Sequence, residues 1–338
     1  MDNENTNNKK TGRLRSVIVI LCIVAAVVIV LAILWSPVIS PALKHLKANK
    51  LISDGDYESA YAILHELGDE EAILESEYNR AMKEVNEGKI IEAYETFVAL
   101  DGYKDSTEQA ASLYVKYEIE KIKMAEVGDY VIFGAYEQDN DISNGKEDIE
   151  WLVLDKQNDK ILAISKYGLD CQRYHEKSED VTWETCTLRK WLNSDFINAA
   201  FSPDEIAMIP TVCVAAERDI TTHTDPGNAT QDKVFLLSAI QAEEYFSSNS
   251  ARQCKPTDFA VAKGAYKYAG GGTWWLRSPG FLQSFASTVL ADGAVNPDGY
   301  AVSKTTFYFS RLDGSNDIIF DKSDTYTVRP ALWINFGT

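Results

Sequence analysis

The segment GGGTWWLRSPG, residues 270–280, decides how this chain is read. Three glycines lead into paired tryptophans, then an arginine, then a Ser-Pro-Gly stop. In a strand, successive side chains point to opposite faces, so Trp274 and Trp275 are expected on opposite sides. Leu276 returns to the side of Trp274 and Arg277 to the side of Trp275, before Pro279 ends the strand. The glycines permit close backbone approach. Trp274 is expected in the core. Trp275 and Arg277 carry two readings. In one they belong to the fold, with Arg277 tying down a loop through a carboxylate or carbonyls. In the other they line a cleft, where an indole face stacks on a sugar ring and a guanidinium grips a carboxylate.

Outward from this segment, short strands surround a helical middle. GDYVIFGAYEQ (128–138) alternates apolar and polar residues, IEWLVLD (149–155) and KILAISKYGLD (160–170) follow, and Gly, Asn and Asp punctuate them. TLRKWLNSDFINAAF (187–201) places Leu188, Trp191, Leu192, Ile197, Ala200 and Phe201 at helical spacing. SPDEIAMI (202–209) starts with Ser202, Pro203 and Glu205, a capping box, and Ser238 with Gln241 repeats the device. Strand and turn patterns return after residue 255. The class is α+β. Arg329, between Val328 and Pro330, lies in an extended segment and reads as a buried structural arginine. The last strand, 328–336, is expected to close a sheet by pairing near the start of this domain.

Taken in order, GDYVIFGAYEQDND, IEWLVLD, ISKYGLDCQRYH, WETCTLRKWLN, FLLS, WWLRSPG and VRPALWIN resemble an uncharacterised family of bacterial domains of unknown function. That family is common in Gram-positive secreted and membrane-anchored proteins. The resemblance covers about residues 126–336. It implies a distant likeness to the formylglycine-generating-enzyme variant of the C-type-lectin-like fold. The stretch between Val302 and Val328 is longer than the family's turn. The oxidase chemistry of those distant relatives needs two neighbouring cysteines near the domain's end, with copper. Here the last cysteine is Cys254, so the resemblance carries the fold and not the activity.

Upstream, residues 41–125 read as helical and contain a repeat. LISDGDYESAYAILHELGD (51–69) aligns with EVNEGKIIEAYETFVALDG (84–102). Gly55 falls on Gly88, Ala60 on Ala93, Tyr61 on Tyr94, Leu64 on Phe97 and Leu67 on Leu100. A period near 34 resembles tetratricopeptide repeats, without that family's Trp-Leu-Gly pattern, and implies hairpins of paired helices. GYKDS (102–106) is also familiar from proteins that join such repeats to this domain. Before them, SVIVILCIVAAVVIVLAILW (Ser16–Trp35) is uncharged, and Lys9, Lys10, Arg13 and Arg15 precede it. The expectation is a cytoplasmic tail (1–15), a transmembrane helix (16–36) with a stiff Ser-Pro exit, and an extracytoplasmic body held at the cell membrane by a single pass.

Lys and Arg number 33 against 51 Asp and Glu, a net charge of −18. This argues against a nucleic-acid partner, which needs cationic surface. Cys171, Cys186, Cys213 and Cys254 are read as structural, either as two disulfides or as buried thiols. Cys171, His175 and Cys186 match no standard zinc spacing, and Asp170 with Glu184 is weak as an acid/base pair. DNDISNGKEDIE (139–150) puts Asp139, Asp141, Ser143 and Glu150 at calcium-loop positions 1, 3, 5 and 12. Its glycine stands at 7 rather than 6 and strands flank it, so a polar hairpin loop is expected. No catalytic residue, metal or cofactor is assigned.

The resulting expectation is a lectin-like α+β domain (126–338) on a helical stalk. It would act as a non-catalytic recognition module for an envelope glycan, a peptide or a partner protein, with Tyr174, His175, Trp183, Trp275 and Arg277 as the ligand-binding set. The alternatives are an enzyme of the formylglycine-generating type or another hydrolase, and a structural subunit docking through its repeats.

Overall fold

The computed structural model describes residues 4–218, 222, 224–268, 270–303, 307–310, 316–320 and 326–337; for 4–20, 32–39, 268, 307–310 and 316–320 the description is of backbone alone. The chain divides into two compact units, Met1–Tyr117 and Glu118–Thr338.

The first unit is helical: α1 (Glu4–Asp54), α2 (Tyr57–Leu67), α3 (Glu70–Glu87), α4 (Ile90–Ala99) and the start of α5 (Ser106–Met124). Asp56 and Asp69 cap α2 and α3 by accepting the N–H of Ser59 and Ala72. Residues that align between 51–69 and 84–102 share conformation and burial. Gly55 and Gly88 both take the left-handed conformation that ends a helix, at φ 82° and 78°. Five residues on in each case, Ala60 and Ala93 are wholly buried, and Leu64 and Phe97 follow them into the interior. The small alanine lets paired helices approach while the larger residue fills the gap beside it.

The sequence reading put a transmembrane helix at 16–36 followed by a break. The structure corrects both. α1 runs as one helix through Pro37 and Pro41. Among the described residues, no helix is long and apolar enough to cross a membrane. Of the expected span, side chains are described only for 21–31, about 16 Å of helix where a bilayer core needs about 30 Å. The side chains of 1–20 and 32–39, tail included, lie outside the described residues. The single-pass anchor and the localisation built on it are therefore withdrawn.

The second unit mixes helix and sheet. Ten of its strands form two sheets: β1 (Tyr130–Tyr136), β2 (Glu147–Gln157), β3 (Lys160–Ser165), β4 (Asp170–Gln172), β5 (Val234–Phe235), β6 (Trp274–Pro279), β7 (Phe285–Val289), β8 (Val295–Ala301), β9 (Tyr326–Val328) and β10 (Ala331–Asn335). The first sheet is antiparallel in the order β1-β2-β3-β10-β5; the second runs β8-β7-β6-β9-β4, with β6 and β9 parallel. The C-terminal strand β10 lies inside the first sheet between β3 and β5, with Ala331 opposite Ile164 and Asn335 opposite Lys160. A pair of short strands, Phe307–Ser310 and Asn316–Phe320, runs antiparallel inside the long stretch before Val328; residues 304–306, 311–315 and 321–325 of that stretch lie outside the described residues.

One core serves both sheets, drawing on Trp151, Ile161 and Ile164 from the first and on Trp274, Trp275 and Val289 from the second. Trp151 satisfies its indole N–H on Phe133 O at 2.7 Å, as a buried indole must. Between the strands, both expected capping boxes form, Ser202 with Glu205 and Ser238 with Gln241. The helix from Thr187 to Ala200 is interrupted by a π-turn at Leu192–Phe196.

Candidate functional site

The glycine-tryptophan segment is packed on every side. A Cβ on Gly271 would lie 2.4 Å from Ala291 O, which only glycine avoids, and one on Gly272 would crowd Thr327 Oγ1 at 3.0 Å. Trp274 and Trp275 do turn to opposite faces, and both faces are covered. Arg329 lies over Trp274, 5.1 Å from the ring, with Phe246 at 5.3 Å on the guanidinium. It is 3 % exposed and donates to Ser165 O and Arg252 O. Trp275 packs against Tyr174 at 5.6 Å and Tyr326 at 4.8 Å, and donates to Gln172 O at 2.9 Å.

Four of the five expected ligand-binding residues are drawn together, and all five are buried. Tyr174 donates to Arg277 O and its ring meets Trp183. Trp183 donates to Asp232 Oδ2 at 3.0 Å. Arg277 donates to Leu236 O at 2.9 Å and to Gln241 Oε1, with Glu217 3.6 Å away. Burial lowers its guanidinium to about 10 although Glu217 opposes the shift. His175 Nδ1 accepts the Thr187 N–H, which leaves the proton on Nε2 to donate to Glu179 at 2.9 Å; that bond holds the Glu179 carboxyl below its ordinary value. The cavity beside Trp183 and Arg277 measures about 10 Å³, room for roughly one water. The cluster is a closed polar and aromatic core.

The ligand-sized space is next to it. A groove of about 560 Å³ runs between β4 with the residues after it and the helix Thr187–Trp191, lined by Gln172, Arg173, Glu176, Lys190, Trp191 and Asp195 among others. Its lining residues Arg173 and Glu176 flank Tyr174 and His175 in sequence, and neither Tyr174 nor His175 lines it. Trp191 is half-buried, its ring 5.4 Å from Phe196, and it supplies the groove's aromatic wall. Arg173 and Lys190 provide cations, Glu176 and Asp195 anions. Helical periodicity counted Trp191 among the core positions and gave no signal for the charged residues, which sit on separate elements.

The structural cysteines are thiols, and the disulfide alternative is not realised. Cys171, Cys186 and Cys254 are buried, whereas Cys213 is exposed. Cys186 caps the helix Thr187–Trp191 by accepting the Arg189 N–H, and burial pushes its thiol up to about 12. His175 serves Glu179 and Thr187 rather than a metal. Asp170 and Glu184 work apart: Asp170 binds Tyr136 and Lys263, and Glu184 accepts from Asn228. The proposed calcium-loop positions also separate, since Glu150 pairs with Lys166 at 2.7 Å. In their place Glu137, Asp139 and Glu147 each bring one carboxylate oxygen within 4.8 Å of the others.

Residues 158–336 match the family described as a domain of unknown function, DUF6273, and the chain belongs to that family. No curated protein and no solved structure matches the chain.

Proposed function

We propose that the second unit is a recognition module that takes a glycan in the groove of Trp191, Arg173 and Lys190. The observation that carries this is the groove itself: ligand-sized, with one accessible indole among hydrogen-bonding side chains of both charges. Sugars are bound by stacking an apolar ring face on an aromatic while hydroxyls meet polar groups, and this wall offers both. The buried cluster around Tyr174, Trp275 and Arg277 backs the groove and fixes the chain at Gln172. The reading is non-catalytic. In its support, the thiols of Cys186 and Cys254 are buried and shifted upward, the opposite of an activated nucleophile.

The finer kinship is part of the same proposal. A C-type-lectin-like plan of the formylglycine-generating-enzyme variety is supported by the return of β10 to β3. A tetratricopeptide-like character for the first unit is supported by the matched turns at Gly55 and Gly88.

The test is a glycan array probed with the full chain and with Trp191→Ala and Arg173→Ala variants. The expected result is a defined set of bound glycans, with affinity at least about tenfold lower in each variant (about 1.4 kcal/mol) at unchanged thermal stability. Binding that both variants retain in full places the ligand elsewhere.

A second reading, docking of a partner, rests on the first unit. There a groove of about 450 Å³ is lined by Glu77, Glu84, Glu92 and Glu95 around Arg80, which suits a basic peptide.

A further inference from the structure

We infer that the β1–β2 hairpin binds a calcium ion through Glu137, Asp139 and Glu147. Strand pairing sets the site up. Tyr136 stands opposite Glu147, which brings Glu137, the residue just past β1, next to the first residue of β2 at the hairpin mouth. One carboxylate oxygen from each of the three residues falls within 4.8 Å of the other two.

Glu137 is the observation that points to a ligand. It is 8 % exposed, and its Oε1 is sealed from solvent with no hydrogen-bond partner. A buried carboxylate oxygen without a donor is costly unless a cation meets it. Among the described residues, none of the three carboxylates joins an ion pair. Lys146, the only cation in the loop, donates instead to Ala199 O.

The loop holds the other two ligands in place. Glu147 Oε2 accepts the N–H of Gln138 at 2.6 Å and of Asp139 at 3.3 Å. Asp139 accepts from Asp141 N and Asn144 Nδ2, each at 2.7 Å. An anionic, all-oxygen set in an irregular loop suits a hard cation that tolerates uneven geometry, which is calcium. The calcium-loop pattern in the sequence shares only Asp139 with this set, because the two glutamates come from the strand ends rather than from positions within the loop.

The test is calorimetric titration of the chelator-treated full chain with calcium chloride, and separately with magnesium chloride. The expected result is one saturable calcium site, weaker for magnesium, with a calcium-dependent rise in Tm. Glu147→Gln and Glu137→Gln are expected to weaken calcium at least about tenfold, and Glu150→Gln to leave it unchanged. Folding is controlled in chelator, where Glu137→Gln is expected to melt at or above the parent because it removes an uncompensated charge. No saturable binding, equal binding in Glu137→Gln and Glu147→Gln, or equal loss in Glu150→Gln would overturn the site.

Discussion

The Tyr174 hydroxyl donates to the main-chain oxygen of Arg277 at 3.0 Å, joining positions 103 residues apart in the sequence. Both groups are buried, and this bond fixes the chain after β4 to strand β6. Tyr174→Phe leaves the carbonyl without its donor. The expected cost is about 1–3 kcal/mol, read from the urea midpoint. An unchanged midpoint would show that water or another donor replaces the hydroxyl at no cost.

Trp275 is wholly buried between Tyr174 and Tyr326. Trp275→Ala is expected to cost about 3–5 kcal/mol. Trp275→Phe keeps part of the ring but loses the bond to Gln172 O, and falls between that variant and the parent. The check is equilibrium unfolding followed by circular dichroism. If Trp275→Ala instead leaves stability unchanged and removes ligand binding, Trp275 is a contact residue and not core.

Thiol labelling separates the cysteines. Cys213 is exposed, while burial pushes the Cys186 thiol up to about 12 and also raises that of Cys254. Iodoacetamide at about pH 8 is expected to modify Cys213 in the native protein and to reach Cys171, Cys186 and Cys254 only in denaturant. Peptide mass spectrometry reads the sites. Native labelling of Cys186 would contradict the packing around Tyr174.

Acid is expected to weaken the helical unit. Lys104 and then Tyr103 hold the Glu75 carboxyl below its ordinary 4.5, and Tyr78 and then Gln109 hold Asp105 below 3.8. Carboxylates depressed in the folded state contribute stability that is complete above those ordinary values. That contribution is lost as pH falls through the lower folded ones. Tyr78→Phe with Tyr103→Phe removes two of the donors, so its stability should fall less steeply below about pH 5 than the parent's. Thermal unfolding across pH gives the comparison, and parallel profiles would remove these residues from the account.

What was legible in the sequence is what local rules decide. Ser202 and Ser238 announced their capping boxes because the device is contained in four residues. Gly55 and Gly88 marked the ends of helices because only a left-handed residue fits there. Alternation placed Trp274 and Trp275 on opposite faces, yet it could not show that both faces are covered, since that depends on where Arg329 and Tyr174 arrive from. Trp191 was hidden for a related reason. Helical spacing set Trp191 among apolar residues that are buried, whereas it stands half-buried just ahead of the π-turn at Leu192–Phe196. Glu137 and Glu147 escaped because their proximity comes from strand pairing across a loop, and no fixed spacing encodes it.

The central claim, that ligand is met at Trp191 and not at the buried tryptophans, is tested most directly by indole NMR. The chain has seven tryptophans, each giving one side-chain N–H signal once assigned by substitution. On titration with a glycan retained by the array, the Trp191 signal is predicted to shift and saturate while those of Trp274 and Trp275 stay in place. A shift at Trp275 with Trp191 unmoved would contradict the account.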